Sequence, residues 1–211
     1  MRHTRVFIPF VVVPVFLGSV DSHKDHARAC AGEGIKADRE AQAAHWPQFR
    51  GPNAGGVCRE GEVPVDVGHN VLWKTPVPPG NSSPCIWGKS LFLTACKDQK
   101  RLVALCIHTD DGRIQWEREV PAERIENVHP RVGSPASSTP AADGERVYVF
   151  FGSVGLVCFD FQGRLVWRHD LGPFRYHLGW GAASSPIVHG DSVILNCDHD
   201  GESFLLALYR Q

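Results

Sequence analysis

The chain has 211 residues, and its 22 basic side chains nearly balance its 23 acidic ones. That balance leaves no electrostatic footprint for nucleic acid or an anionic membrane surface, and both are set aside as partners. Hydrophobic residues make up 43%, enough for a packed core, while 21 glycines, 15 prolines and a single methionine favour short strands and turns over long helices.

At the N-terminus Met1–Arg5 carries two arginines, Val6–Val20 is almost continuously apolar, and Asp21–His26 is polar. This order predicts a secretory signal over residues 1–29, cleaved after Ser22 or after Ala29. At about fifteen residues the apolar run falls short of the roughly 20 a membrane helix needs, and Pro9 and Pro14 interrupt it, so no stable span is expected. A cut after Ala29 places Cys30 first, but Ala27 and Arg28 make a poor lipidation signal. Residues 30–44 read as a polar linker. The seven cysteines (30, 58, 85, 96, 106, 158 and 197) form no C-x-x-C and no adjacent pair, which excludes a zinc ribbon and a dithiol redox motif. Scattered singly in apolar runs, they read as small buried residues.

Further on, the chain repeats itself. The prolines of Ser82-Ser83-Pro84, Ser138-Thr139-Pro140 and Ser184-Ser185-Pro186 each precede a glycine by four residues: Gly88, Gly144 and Gly190. Three residues past each glycine an apolar strand begins, Leu91–Leu93, Val147–Val149 and Val193–Leu195. A second apolar run follows each time, Leu102–Ile107, Leu156–Phe161 and Phe204–Leu208, so the pattern is a hairpin in triplicate. Gly112-Arg113-Ile114-Gln115-Trp116 and Gly163-Arg164-Leu165-Val166-Trp167 then add a fourth strand ending in tryptophan.

Four short strands in roughly 40–50 residues is the size of a propeller blade. The predicted fold is all-β: a β-propeller of four-stranded antiparallel blades over residues 45–211, at about 81–120, 135–171 and 181–211. The third blade lacks its fourth strand, giving about 2.5 to 3 blades in an incomplete ring. Its unpaired edge, Phe204, Leu205, Leu206 and Leu208, favours self-association. A blade buries its faces only against neighbours, and a flat side chain at a fixed point of each blade fills the widening outer space. Trp73, Trp116 and Trp167 stand at that point, with Gly112 and Gly163 as their docking turns, and Trp73 is expected to end a strand of its own.

These residues carry a family resemblance. Ala104-Leu105 with Gly112 and Trp116, and Cys158-Phe159-Asp160 with Gly163 and Trp167, resemble the tryptophan-docking motif of pyrroloquinoline-quinone-repeat, quinoprotein-like β-propellers. The opening Trp46–Asn53 and the Val71–Thr75 segment resemble exported bacterial proteins with these repeats. Cys106 and Tyr209 stand where the motif has aspartate, and Asp110-Asp111 lengthens one turn. The resemblance implies a non-catalytic binding or scaffolding propeller, periplasmic or extracellular, similar to outer-membrane assembly propellers and without a cofactor. Its alternative is a truncated or degenerate quinoprotein oxidoreductase, with pyrroloquinoline quinone and calcium as cofactors.

The first of these is favoured, because no catalytic residues can be named. The chain has no Cys-Cys pair, no G-x-S-x-G, no H-E-x-x-H, no P-loop, and no nucleophile with a companion base. Asp198–Glu202 resembles a calcium loop but lies in a hairpin turn and lacks the later glutamate, so it reads as a solvated turn. Binding positions are expected on the blade-joining loops, where His129 and His177 occupy comparable places alongside Arg131 and Trp180. The partner, protein or small ligand, stays open. Trp46, Trp87 and Trp180 alike read as packing residues rather than ligand platforms, with Trp180 a candidate only through its place in the loop.

Overall fold

The computed structural model describes residues 43–58, 66, 68–129, 131–172 and 174–211. The signal, Cys30 and the linker up to residue 42 lie outside the described residues. Those described contain eleven strands and one 3-10 turn, Pro52–Ala54. β1 (Cys85–Trp87), β2 (Ser90–Lys97), β3 (Arg101–His108) and β4 (Ile114–Val120) form one antiparallel sheet in chain order. β5 (Ala141–Ala142), β6 (Arg146–Phe151), β7 (Gly155–Asp160) and β8 (Leu165–Asp170) form a second, and β9 (Ile187–His189), β10 (Ser192–Cys197) and β11 (Phe204–Tyr209) a third. These are two four-stranded blades and one of three strands, an incomplete propeller.

The alternation of side chains along a strand explains why the middle blade reads as continuously apolar. Val147, Val149 and Phe151 of β6 enter a cluster with Phe92, Leu102, Cys106 and Trp116 of blade one. Tyr148 and Phe150, pointing the other way, join Val188, Val193 and Leu195 of blade three. Both faces are therefore core, and each fully buried aliphatic or aromatic side chain contributes about 1.5–3 kcal/mol.

Two kinds of contact hold blade to blade and account for the repeated motifs. Near the innermost strands a hydroxyl ladder runs through the Ser/Thr-Pro triplets. Thr139 Oγ1 accepts the Ser83 N–H at 3.0 Å, and one blade later Ser185 Oγ accepts the Thr139 N–H at 3.0 Å. At the outside, tryptophans dock on glycine turns. Trp116 donates its Nε1–H to the Phe161 carbonyl at 2.8 Å, and its ring lies where a Cβ on Gly163 would come within 2.7 Å. Trp73 repeats this on blade one, donating to the Thr109 carbonyl at 2.7 Å with its ring 2.5 Å from the Cβ position of Gly112.

The x of the apolar-x-Trp unit also acquires a meaning. Cys106 pairs with Trp116 while Ile107 pairs with Ile114, leaving Gln115 as a bulge; Cys158, Trp167, Phe159 and Leu165 bulge in the same way at Val166. The bulge turns the outer strand and aims its tryptophan at the next blade.

Trp73 departs from the expectation in one respect: no strand ends there. A strand needs a hydrogen-bonded neighbour, and this segment is held by side chains instead, the Trp73 indole and the Thr75 hydroxyl, which donates to the Gly112 carbonyl at 2.5 Å. Leu72 beside it is 89% exposed. Trp167 faces blade three and packs 5.8 Å from the Tyr148 ring, but its buried Nε1–H meets no acceptor.

Five cysteines, Cys85, Cys96, Cys106, Cys158 and Cys197, are buried in the strands and not disulfide-bonded. Burial pushes the Cys106 thiol up to about 11 and Cys158 to about 12, which keeps them protonated and unreactive.

Candidate binding face

Loops 121–136 and 172–183 leave the outer strands at the same end of their blades as the β6–β7 turn, since the Leu171 N–H donates to the Val154 carbonyl at 2.9 Å. The four loop residues singled out from the sequence all lie here. The His129 N–H donates to the Gly179 carbonyl at 2.5 Å, tying the first loop to the residue beside Trp180, and the Arg131 N–H reaches the His129 ring at 3.3 Å. Gly133 lets the two loops touch, because a Cβ there would sit 2.6 Å from the Gly179 carbonyl oxygen.

His177 is placed by blade three. Its N–H donates to the Asp200 carboxylate, and the Asp200 N–H donates to the Arg175 carbonyl at 3.0 Å. The His199 ring stacks on Phe174 at 4.5 Å, and Asp198 accepts the Ser203 hydroxyl at 2.7 Å. Asp200 thus ties the turn to the neighbouring loop, while Asp198 holds Ser203 of its own segment. Among the described residues no three His, Cys, Asp or Glu side chains converge as metal ligands.

What the two loops present outward is aromatic and apolar. Trp180 is 64% exposed, Val132 62% and Leu178 59%, and Arg131, Arg175 and His177 of the same loops are exposed as well. Trp46 and Trp87 are used otherwise. Trp46 packs on Gly51 and bridges to Ile86, and Trp87 lies 3.0 Å from the Cβ position of Gly144 with the His45 ring tilted against it at 4.5 Å. A larger recess of about 900 Å³ opens between His45, Trp46, Val57, Cys58 and Ile86, and none of the four loop residues lines it.

Beneath the loops lies a residue the sequence did not single out. Glu126 is only 8% exposed, and neither carboxylate oxygen has a hydrogen-bond partner. Its backbone N–H is held by the Ser153 hydroxyl at 2.8 Å, and its carboxyl packs on Gly152, where a Cβ would fall 2.7 Å from Oε2. Burial pushes this carboxyl up to about 7; the Ala182 N–H offsets that in part without completing a hydrogen bond. A cavity of about 210 Å³ adjoins it, lined also by Arg124, Asn127, Phe174, Arg175 and Tyr176. No motif marks Glu126, because the groups that bury it come from a turn and a loop far along the chain.

The family model for outer membrane protein assembly factor BamB matches residues 66–208. No curated protein matches the sequence. Among solved structures, BamB from Moraxella catarrhalis is 14% identical with a TM-score of 0.46, over 65% of this chain and 36% of that one. Quinohemoprotein alcohol dehydrogenase ADHIIG from Pseudomonas putida HK5 is 15% identical with a TM-score of 0.57, over 85% of this chain and 27% of that one. The quinohemoprotein alcohol dehydrogenase of Comamonas testosteroni is 17% identical with a TM-score of 0.53, over 87% and 29%. The chain thus spans about a third of the length of these structures, and the likeness to the dehydrogenases is one of fold. Three successive antiparallel sheets, a hydroxyl ladder and docked tryptophans occupy the matched residues, and the chain belongs to the BamB-like family of pyrroloquinoline-quinone-repeat β-propellers.

Proposed function

We propose that the protein works outside the cytoplasm as a non-catalytic propeller that binds another protein through the face made by loops 121–136 and 172–183. One observation carries this reading: Trp180, Leu178 and Val132 are exposed on two hydrogen-bonded loops that also expose Arg131, Arg175 and His177. Large aromatic and arginine side chains on a rigid support are what protein interfaces use as anchors. Leaving them in water otherwise costs solubility. Membership of a family described as an outer membrane assembly factor supports a protein as the partner, and the charged start followed by a short apolar run supports export.

The other reading, a quinoprotein oxidoreductase, draws on the fold of the dehydrogenases, and a fold alone does not carry a function. Mixing the purified chain with pyrroloquinoline quinone and calcium separates the two. The expected result is free quinone only, with no bound-cofactor absorbance and no alcohol-dependent dye reduction. A stoichiometric absorbance change would move the assignment to the oxidoreductase.

A further inference from the structure

The joint between the two loops contains a group whose burial is conditional on its proton. Glu126 is sealed by three segments: its own loop, the Gly152–Ser153 turn, and the loop carrying Tyr176 and Ala182. The turn and Ala182 bring no ionisable side chain. The charged and titratable groups facing this region are Tyr176 from the second loop, Arg124 and Arg175 on the adjoining cavity, and, behind Tyr176 and Phe174, Cys197, Asp198, His199 and Asp200 of blade three. Neither arginine pairs with a carboxylate among the described residues. A neutral carboxyl tolerates this pocket, but an ionised one with no donor does not, because a buried unpaired charge is among the costliest features of a folded protein.

We propose that Glu126 is a proton-operated catch: neutral, it lies sealed between Gly152 and Ala182 and holds the loops together, and ionised, it swings into the adjoining cavity to pair with Arg124 and Arg175, loosening the loop joint. The displaced carboxyl exchanges a pocket that offers it only the poorly placed Ala182 N–H for two guanidiniums, each able to donate in a forked geometry. Loop 121–129 then loses the packing of this carboxyl on Gly152 and is left with the single Glu126 N–H to Ser153 Oγ hydrogen bond to that turn, and the His129–Gly179 hydrogen bond loses its support. The binding face is thereby set by pH. That consequence rests on the proposed function, but the catch and its test do not.

Held up to about 7 when folded and near 4.5 when unfolded, the carboxyl makes a stabilising contribution that is complete below about pH 4.5 and is lost as pH rises through 7. From pH 6 to pH 8 its ionised fraction rises about tenfold. Hydrogen–deuterium exchange of the purified chain at those two pH values, corrected for the intrinsic exchange rate, reads the opening directly. Peptides covering 121–136 and 172–183 are expected to exchange about tenfold faster at pH 8, with β3 and β7 unchanged. Glu126→Gln, which cannot ionise, is expected to keep the pH 6 protection at both values. The double variant Arg124→Ala/Arg175→Ala, which removes the receiving charges, is expected to shift the transition to higher pH with the fold intact. Equal protection at both pH values in the wild type overturns the catch. So does a pH response that survives in Glu126→Gln, which would assign it to His129, His177 or His199.

Discussion

Trp116→Ala is expected to cost about 3–5 kcal/mol, the range for removing a large aromatic from a core. The indole is 7% exposed, lies 6.0 Å from both the Phe92 and Phe159 rings, and carries the Arg118 guanidinium 5.7 Å from its centroid. Its Nε1–H bond to Phe161 crosses from blade one to blade two, so the substitution opens a cavity at the seam and also cuts the strap over it. For a domain of this size the loss corresponds to a fall in Tm of about 6–20 °C. Trp73→Ala is expected to cost less, because that ring is only half-buried and its segment pairs with no strand. Unfolding in urea checks both, and equal losses would mean that the tryptophans are not graded by their docking.

Gly163→Ala is the companion case, with an expected loss of about 3 kcal/mol. At φ +77° the left-handed backbone alone costs an alanine about 1–2 kcal/mol. The new methyl would also lie 2.7 Å from the Trp116 ring, overpacking that costs about 1–3 kcal/mol. The two contributions separate in a double-mutant cycle. With Trp116 already alanine the methyl has room, so Gly163→Ala should then cost only the backbone part. Full additivity of the two substitutions would show that the ring does not rest on this glycine.

The blades were legible because their signals are local and repeated. Proline-to-glycine offsets fix a turn, the turn fixes the register of a hairpin, and a register once fixed decides which apolar side chains face which neighbour. The second hydroxyl of each Ser/Thr-Pro triplet was visible as a motif, but its use as an acceptor for the preceding blade was not, since Ser83 and Thr139 meet only after the blades stack. The Trp73 ring lies on the Gly112 turn, but no strand ends there among the described residues, because an apolar run does not reveal whether a partner strand lies beside it.

The proposed binding face divides in the same way. His129 and His177 stood out by their comparable places in two long loops, with Arg131 and Trp180 beside them, a spacing argument that needs no coordinates. Glu126 did not, for its character comes from Gly152 leaving room for a carboxyl and Ala182 closing over it. Nor does any pattern distinguish exposed Trp180 from packed Trp46 and Trp87. Their difference lies in whether a glycine turn faces the ring: Gly51 faces Trp46 and Gly144 faces Trp87.

Site-specific photocrosslinking in the cells that make the protein tests most directly whether this face binds a protein. A photoreactive residue at Trp180 is to be compared with one at Gln162, an exposed position in the β7–β8 turn at the opposite end of blade two. Trp180 is predicted to yield one discrete protein adduct, abolished when Leu178 and Val132 are changed to serine, while Gln162 yields none. No adduct at Trp180, or the same adducts from both positions, would contradict a specific protein-binding face on these loops.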